Sequence, residues 1–204
     1  MIYELASLTG HALGAGTLSE RARGWMSDPA ALGKVLGIWR TDIGIVGQLL
    51  ILRGFEAEAD LRKERDRALS SADPFHCGGL ATSLSMESYA GFPFLPPVAP
   101  GDYGGIYEFR TYHLKHGGLP VTMKAWEAAV GPAREYTDHL VTNMYALDGP
   151  PRITHIWGFS SLEERTRLRS SHFGSGLWPP KGGPDQIDHA TSTIALAEPG
   201  LPLS

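Results

Sequence analysis

The chain has 204 residues, 42% hydrophobic and 20% charged, the composition of a folded globular protein long enough to bury its own core. A net charge of −4 carries no basic excess, so nucleic acid is not an expected partner. The single cysteine, Cys77, excludes an internal disulfide and any multi-cysteine zinc site, and no apolar run approaches the ~20 residues a membrane span requires.

Met1-Ile2-Tyr3-Glu4 lacks the basic segment of a signal peptide, and with one cysteine the expected location is cytoplasmic. Ile2 to Leu8 alternates as a strand does. Leu18, Ala22, Trp25 and Met26 then recur at helical spacing, before Pro29 and Gly33 break the pattern. Two apolar runs, Val35 to Ile45 and Gly47 to Phe55, read as a hairpin with Gly44 and Gly47 as turn material. The charged stretch Glu56 to Leu69 predicts a second helix, with its mixed-sign residues Arg62 to Arg67 on a solvated face. Leu80 to Met86 predicts a closing strand, and Gly91 to Gly105, rich in proline and glycine, predicts a linker.

After the linker the same order returns. Ile2-Tyr3-Glu4-Leu5 reappears as Ile106-Tyr107-Glu108-Phe109, and the shift of 104 (106 − 2) also carries Leu36 onto Leu140, Gly54-Phe55 onto Gly158-Phe159 and Arg65 onto Arg169. Met123, Trp126, Ala129 and Val130 mark the helix of this second copy, and His139 to Leu147 with Ile153 to Phe159 mark its hairpin, turned at Asp148-Gly149-Pro150-Pro151. Ser161 to Arg169 predicts the last helix, opened by the capping box Ser161-Leu162-Glu163-Glu164, and Ala190 to Leu196 predicts the last strand. The expected fold is therefore α+β: two tandem ferredoxin-like βαββαβ repeats, residues 1–101 and 102–204. In the first strand of the second repeat, Tyr107, Phe109 and Thr111 share one face and Glu108, Arg110 and Tyr112 the other. The first face is expected to pack on helices. The second, charged face, which recurs as Glu4, is expected to meet the other repeat's sheet, so that the two pack sheet to sheet as a pseudo-dimeric α/β barrel.

The opening Ile-Tyr-Glu strand, Trp39-Arg40-Thr41-Asp42-Ile43-Gly44, the Gln48 to Phe55 strand, the Arg-rich Asp60 to Leu69 helix and Asp73-Pro74-Phe75 resemble the NIPSNAP family. In the second copy Asn143 and Asp148 lie where Trp39 and Gly44 would fall, so a function tied to that hairpin does not carry over. The resemblance implies the dimeric α/β-barrel fold and homo-oligomerisation; it implies no activity. Other families with this barrel include cofactor-independent monooxygenases, isomerases and haem-handling enzymes, an analogy of fold alone.

Candidate catalytic residues are Glu4, Glu108, Arg110 and His155. An unpaired carboxylate inside a barrel would have a raised pKa and could act as a general base; a paired one is an ordinary ion pair. His155 could be a base or a haem ligand, or a core histidine with one satisfied hydrogen bond. Trp39, Tyr112 and Trp157, with Trp126, could line a ligand pocket or fill the core. His76-Cys77 and the loop residues His113 and His116 lack the further ligands a metal site needs, so neither metal nor cofactor is expected. The sequence thus supports a protein that binds or turns over a small apolar molecule in the barrel. The alternative is a non-catalytic, homo-oligomeric scaffold that recruits partners through a patch such as Phe92, Phe94 and Leu95.

Overall fold

A computed structural model describes residues 1–204. The first half comprises β1 (Ile2–Gly10), α1 (Ala15–Met26), β2 (Lys34–Ile43), β3 (Gln48–Phe55), α2 (Glu58–Leu69) and β4 (Ala81–Gly91). The second comprises β5 (Ile106–Leu114), α3 (Gly118–Val130), the single turn α4 (Arg134–Thr137), β6 (Leu140–Ala146), β7 (Arg152–Phe159), α5 (Leu162–Gly174) and β8 (Ile187–Ala197). The order β-α-β-β-α-β occurs twice, α4 being an addition in the second half. The shift of 104 holds for β1 onto β5, β3 onto β7 and the start of α2 onto α5, and becomes 106 at β4 onto β8.

All strand pairs are antiparallel and close into one barrel in the order β1-β3-β2-β8-β5-β7-β6-β4. The two halves meet at β2 with β8 and at β4 with β6, which are equivalent seams under the duplication. The hairpin turns need left-handed backbone, which Gly47 (φ 80°) and Gly149 (φ 65°) supply without a Cβ clash. The start of α5 follows the capping box with one change. Ser161 Oγ accepts from the Glu164 amide at 3.1 Å, while the Glu164 carboxylate reaches past the cap to the Ser160 amide at 2.7 Å. α5 runs on to Gly174, and β4 reaches Gly91, so the linker is shorter than its composition implies.

The faces of the sheet are reversed from the sequence expectation. The barrel interior is apolar and filled, with Tyr3 and Leu5 of β1, Tyr107 and Phe109 of β5, and Trp39 of β2 in one cluster. The Trp39 ring lies 5.2 Å from that of Tyr107 and 5.1 Å from that of Phe109. Glu4 and Glu108 point outward, into the layers between sheet and helices. The reason is electrostatic: a buried carboxylate must find counter-charges, and these gather on the outward face, Arg53 of β3 and Arg110 of β5 joined from the helices by Arg65 of α2 and Arg165 of α5. Two sheets facing each other across a dry interior supply none. Phe92 and Val98 of the linker are buried, Phe94 and Leu95 pack against the second half, and Leu203 tucks into the barrel end. The patch considered for partner recruitment is thus packed on its own chain.

Candidate functional site

Each half has a sheet–helix layer, and the two layers are built differently. In the first, Ala6, Leu8, Leu18, Ala22, Ile38 and Ile51 form part of one apolar cluster beneath α1. The positions that the duplication pairs with them are Arg110, Tyr112, Thr122, Trp126, Asn143 and His155. Asn143 answers to Ile38, rather than Trp39, because each stands opposite the central residue of the row, His155 or Ile51. Arg110 on β5, His155 on β7 and Asn143 on β6 are therefore direct cross-strand neighbours on one face, where the first half has Ala6, Ile51 and Ile38.

A cavity of about 240 Å³ opens beside this row, between the sheet and α3 and α5. Arg110, Tyr112, Thr122, Trp126, His155 and Arg169 line it, and the Trp178 to Pro184 segment completes the wall. An apolar cavity of about 150 Å³ holds benzene, so this one has room for a single ring with substituents. A larger depression, about 480 Å³, lies beside Leu95, Tyr103 and Val130. No side chain lining it carries an unsatisfied buried polar atom.

The cavity wall differs in this respect. Arg110 Nε, His155 Nε2 and Thr122 Oγ1 are buried without a hydrogen-bond partner, as is the whole amide of the neighbouring Asn143. Each such group costs about 1–3 kcal/mol, and a row of them is uncommon in a native interior. His155 Nδ1 accepts from Trp157 Nε1 at 2.5 Å. Indole can only donate, so the neutral imidazole carries its proton on Nε2 and presents a donor there. Burial, together with the Arg110 charge, pushes the His155 pKa well below its ordinary value and keeps the ring neutral. The rings of Tyr112 and Trp126 pack against it at 4.7 and 5.0 Å, so the donor sits just behind the cavity surface.

Arg110 is held by Glu108 and by the Tyr136 hydroxyl, to which its Nη1 donates at 3.1 Å. Glu108 also accepts from Arg165 at 2.5 and 2.8 Å and from Ser192 Oγ at 2.6 Å. Burial alone would raise its pKa; the Arg165 and Arg110 hydrogen bonds override that and hold the carboxyl well below the usual range. Glu108 is thus an ionised anchor, with no free lone pair for proton abstraction and no surface in the cavity. Glu4 Oε1 is held by Arg53 at 2.5 Å, while its Oε2, 3.7 Å from Arg65, is buried without a hydrogen-bond donor and away from the cavity.

The sequence candidates separate accordingly. Arg110, His155 and Tyr112 come together at the cavity. Trp39 is in the barrel interior, and Trp157 lies in the second half's core, where it orients His155 but does not line the cavity. Thr122, Arg169, Asn143 and the Trp178 segment were not singled out by motif. The signal for the first three was the internal duplication itself. Thr122 and Asn143 stand where the other copy has leucine and isoleucine, and Arg169 stands where it has the ion-paired Arg65. No group of three His, Cys, Asp or Glu side chains is placed to hold a metal ion. His155 cannot offer Nε2 as a ligand to haem iron while that nitrogen carries the proton, so the residues do not fit that group.

No curated protein matches the chain. Over the full length, the fold is similar to that of an anthrone oxidase-like protein, with a TM-score of 0.70, 11% identity and coverage of 97% of this chain and 91% of that one. A protein from Agrobacterium tumefaciens is 31% identical over 48% of this chain and 99% of its own, with a TM-score of 0.44. A second structure of that same protein, described as a NIPSNAP family protein with unknown function, aligns at 28% identity over 50% of this chain and 97% of its own, with a TM-score of 0.42. The NIPSNAP family model matches residues 107–199, from β5 to the end of β8, the stretch that supplies every side chain named at the cavity. By that domain the chain belongs to the NIPSNAP family.

Proposed function

We propose that this protein binds one small, largely apolar molecule carrying a hydrogen-bond acceptor, in the sheet–helix cavity of its second half. The observation that carries the reading is the row of unsatisfied buried donors at Arg110 and His155, with Thr122 facing it from α3. A ligand oxygen that engages these groups offsets a cost the fold otherwise bears. No carboxylate lines the cavity and His155 is neutral, so the site is equipped to orient and polarise an acceptor oxygen rather than to remove a proton from carbon. Binding, with or without cofactor-independent turnover, is the function this supports. Cytoplasmic residence and self-association, the latter through the exposed Ile43, Ile45 and Val46 at the β2–β3 turn, belong to the same proposal.

The test is a thermal-shift screen of one- and two-ring compounds, neutral and acidic, on the wild type and on Thr122→Phe, which fills the cavity from α3. The expected result is a set of compounds that raise the Tm of the wild type and not of the variant. Hits that stabilise both equally would place binding elsewhere and overturn the reading.

A further inference from the structure

The two sheet–helix layers differ in charge balance. In the first half every arginine of the layer has a carboxylate. Arg53 pairs with Glu4 and Glu64, Arg67 with Glu64, and Arg65 with Glu4 and Asp148. In the second half Arg110 and Arg165 share the one carboxylate of Glu108, and Leu168 stands where the first half has Glu64. Arg169, the counterpart of Arg65, has no acidic partner; its guanidinium rests over the Phe173 ring at 5.2 Å. It is half-buried at the cavity wall, and both charged residues that line the cavity are arginines. The layer thus encloses three guanidinium groups around one carboxylate, beside donors that lack acceptors.

We propose that the occupant is a small organic acid, a carboxylate on a flat apolar body of about one ring. The carboxylate meets Arg169 at the cavity wall and the Arg110–His155 donors at its floor, while the ring lies against Trp126 and Tyr112. A carboxylate supplies the missing negative charge and accepts several hydrogen bonds at once, and the guanidinium fork matches its geometry. The apolar remainder of the wall rejects a heavily hydrated polyanion, which would have to shed more water than two arginines replace. This inference rests on the cavity being a ligand site.

The experiment is calorimetric titration with benzoate, its uncharged isostere benzamide, and benzyl phosphate, on the wild type, Arg169→Gln and Arg169→Lys. Benzoate is expected to bind with one site per chain. Its affinity should fall about tenfold or more in Arg169→Gln and recover partly in Arg169→Lys, with benzamide weak and indifferent to either change. Benzoate binding should also weaken as pH falls through the probe's own carboxyl pKa. If benzamide binds as well as benzoate, or Arg169→Gln leaves benzoate affinity unchanged, the anionic class is overturned while the cavity remains a site for neutral molecules. If benzyl phosphate binds tighter than benzoate, the class is a phosphate ester and the proposal is wrong. No saturable binding of benzoate at any pH also overturns it, and the neutral compounds of the thermal-shift screen then decide the cavity reading separately.

Discussion

Glu108 and His155 lie on neighbouring strands, offset by two residues in the ladder, and they respond to acid for different reasons. Glu108 is fully buried and accepts hydrogen bonds from Arg110, Arg165 and Ser192. Glu108→Gln leaves the buried Arg110 and the half-buried Arg165 short of their counter-charge and is expected to destabilise the fold by about 3 kcal/mol, measured by denaturant unfolding. Wild-type-like stability in that variant would show that the anchor is dispensable. Because the folded carboxyl lies below its unfolded value, its contribution is complete above about pH 4.3 and is lost as pH falls toward the folded pKa. For His155 the folded pKa is also depressed, so the unfolded chain takes up a proton below about pH 6.5 that the folded chain refuses. Stability should therefore fall by up to about 1.4 kcal/mol per pH unit on this account as pH drops below that point. His155→Gln, which can still accept from the Trp157 indole, should flatten the slope between pH 6.5 and 5, a range of about one and a half units; an unchanged slope would mean that the ring titrates normally.

At the scale of elements, α3 against the β5–β7–β6 sheet is where the two halves diverge. Both halves make the same helix on the same strands, yet one layer closes on aliphatic side chains and the other keeps a cavity. Thr122 is buried with an unsatisfied hydroxyl where Leu18 is buried in the first half. Thr122→Leu removes that orphan and fills space, so it is expected to stabilise the protein by about 0.5–2 kcal/mol in thermal unfolding while reducing ligand affinity. A loss of stability would instead indicate that the hydroxyl is satisfied and the helix already close-packed. Strand and helix positions were legible from period alone, because Tyr107, Phe109, Met123 and Trp126 recur at the right spacing. Which face met which layer was not legible. Alternation separates Tyr107 and Phe109 from Glu108 and Arg110, but only the arginines of α5 decide that the charged set turns toward the helices. For His155 the sequence left a base, a haem ligand and a core histidine open; its second nitrogen gains meaning only from Arg110 and Asn143, neighbours that lie on other strands.

At the scale of the molecule, the barrel joins two halves through the β2–β8 and β4–β6 seams around an interior to which both contribute. Tyr107 and Phe109 pack against Trp39 of the opposite half, so neither half covers its own inner face. Residues 102–204 expressed alone should therefore pair with a second copy or aggregate, and size-exclusion chromatography of a folded monomer would argue against this dependence. The duplication was legible in the sequence because its register is nearly uniform, slipping by one residue at β2 onto β6 and by two at β4 onto β8. Its functional asymmetry was less so, since it lies in a few substitutions scattered over the strands and α3: Ala6 to Arg110, Leu18 to Thr122, Ile51 to His155.

That asymmetry is the central claim, and a crystal of the protein soaked with 4-bromobenzoate tests it most directly. The bromine's anomalous signal is expected at one position per chain, between β5–β7 and α3, with the carboxylate density directed at Arg110 or Arg169. A peak in the first half's layer, inside the barrel or only on the outer surface would contradict the account.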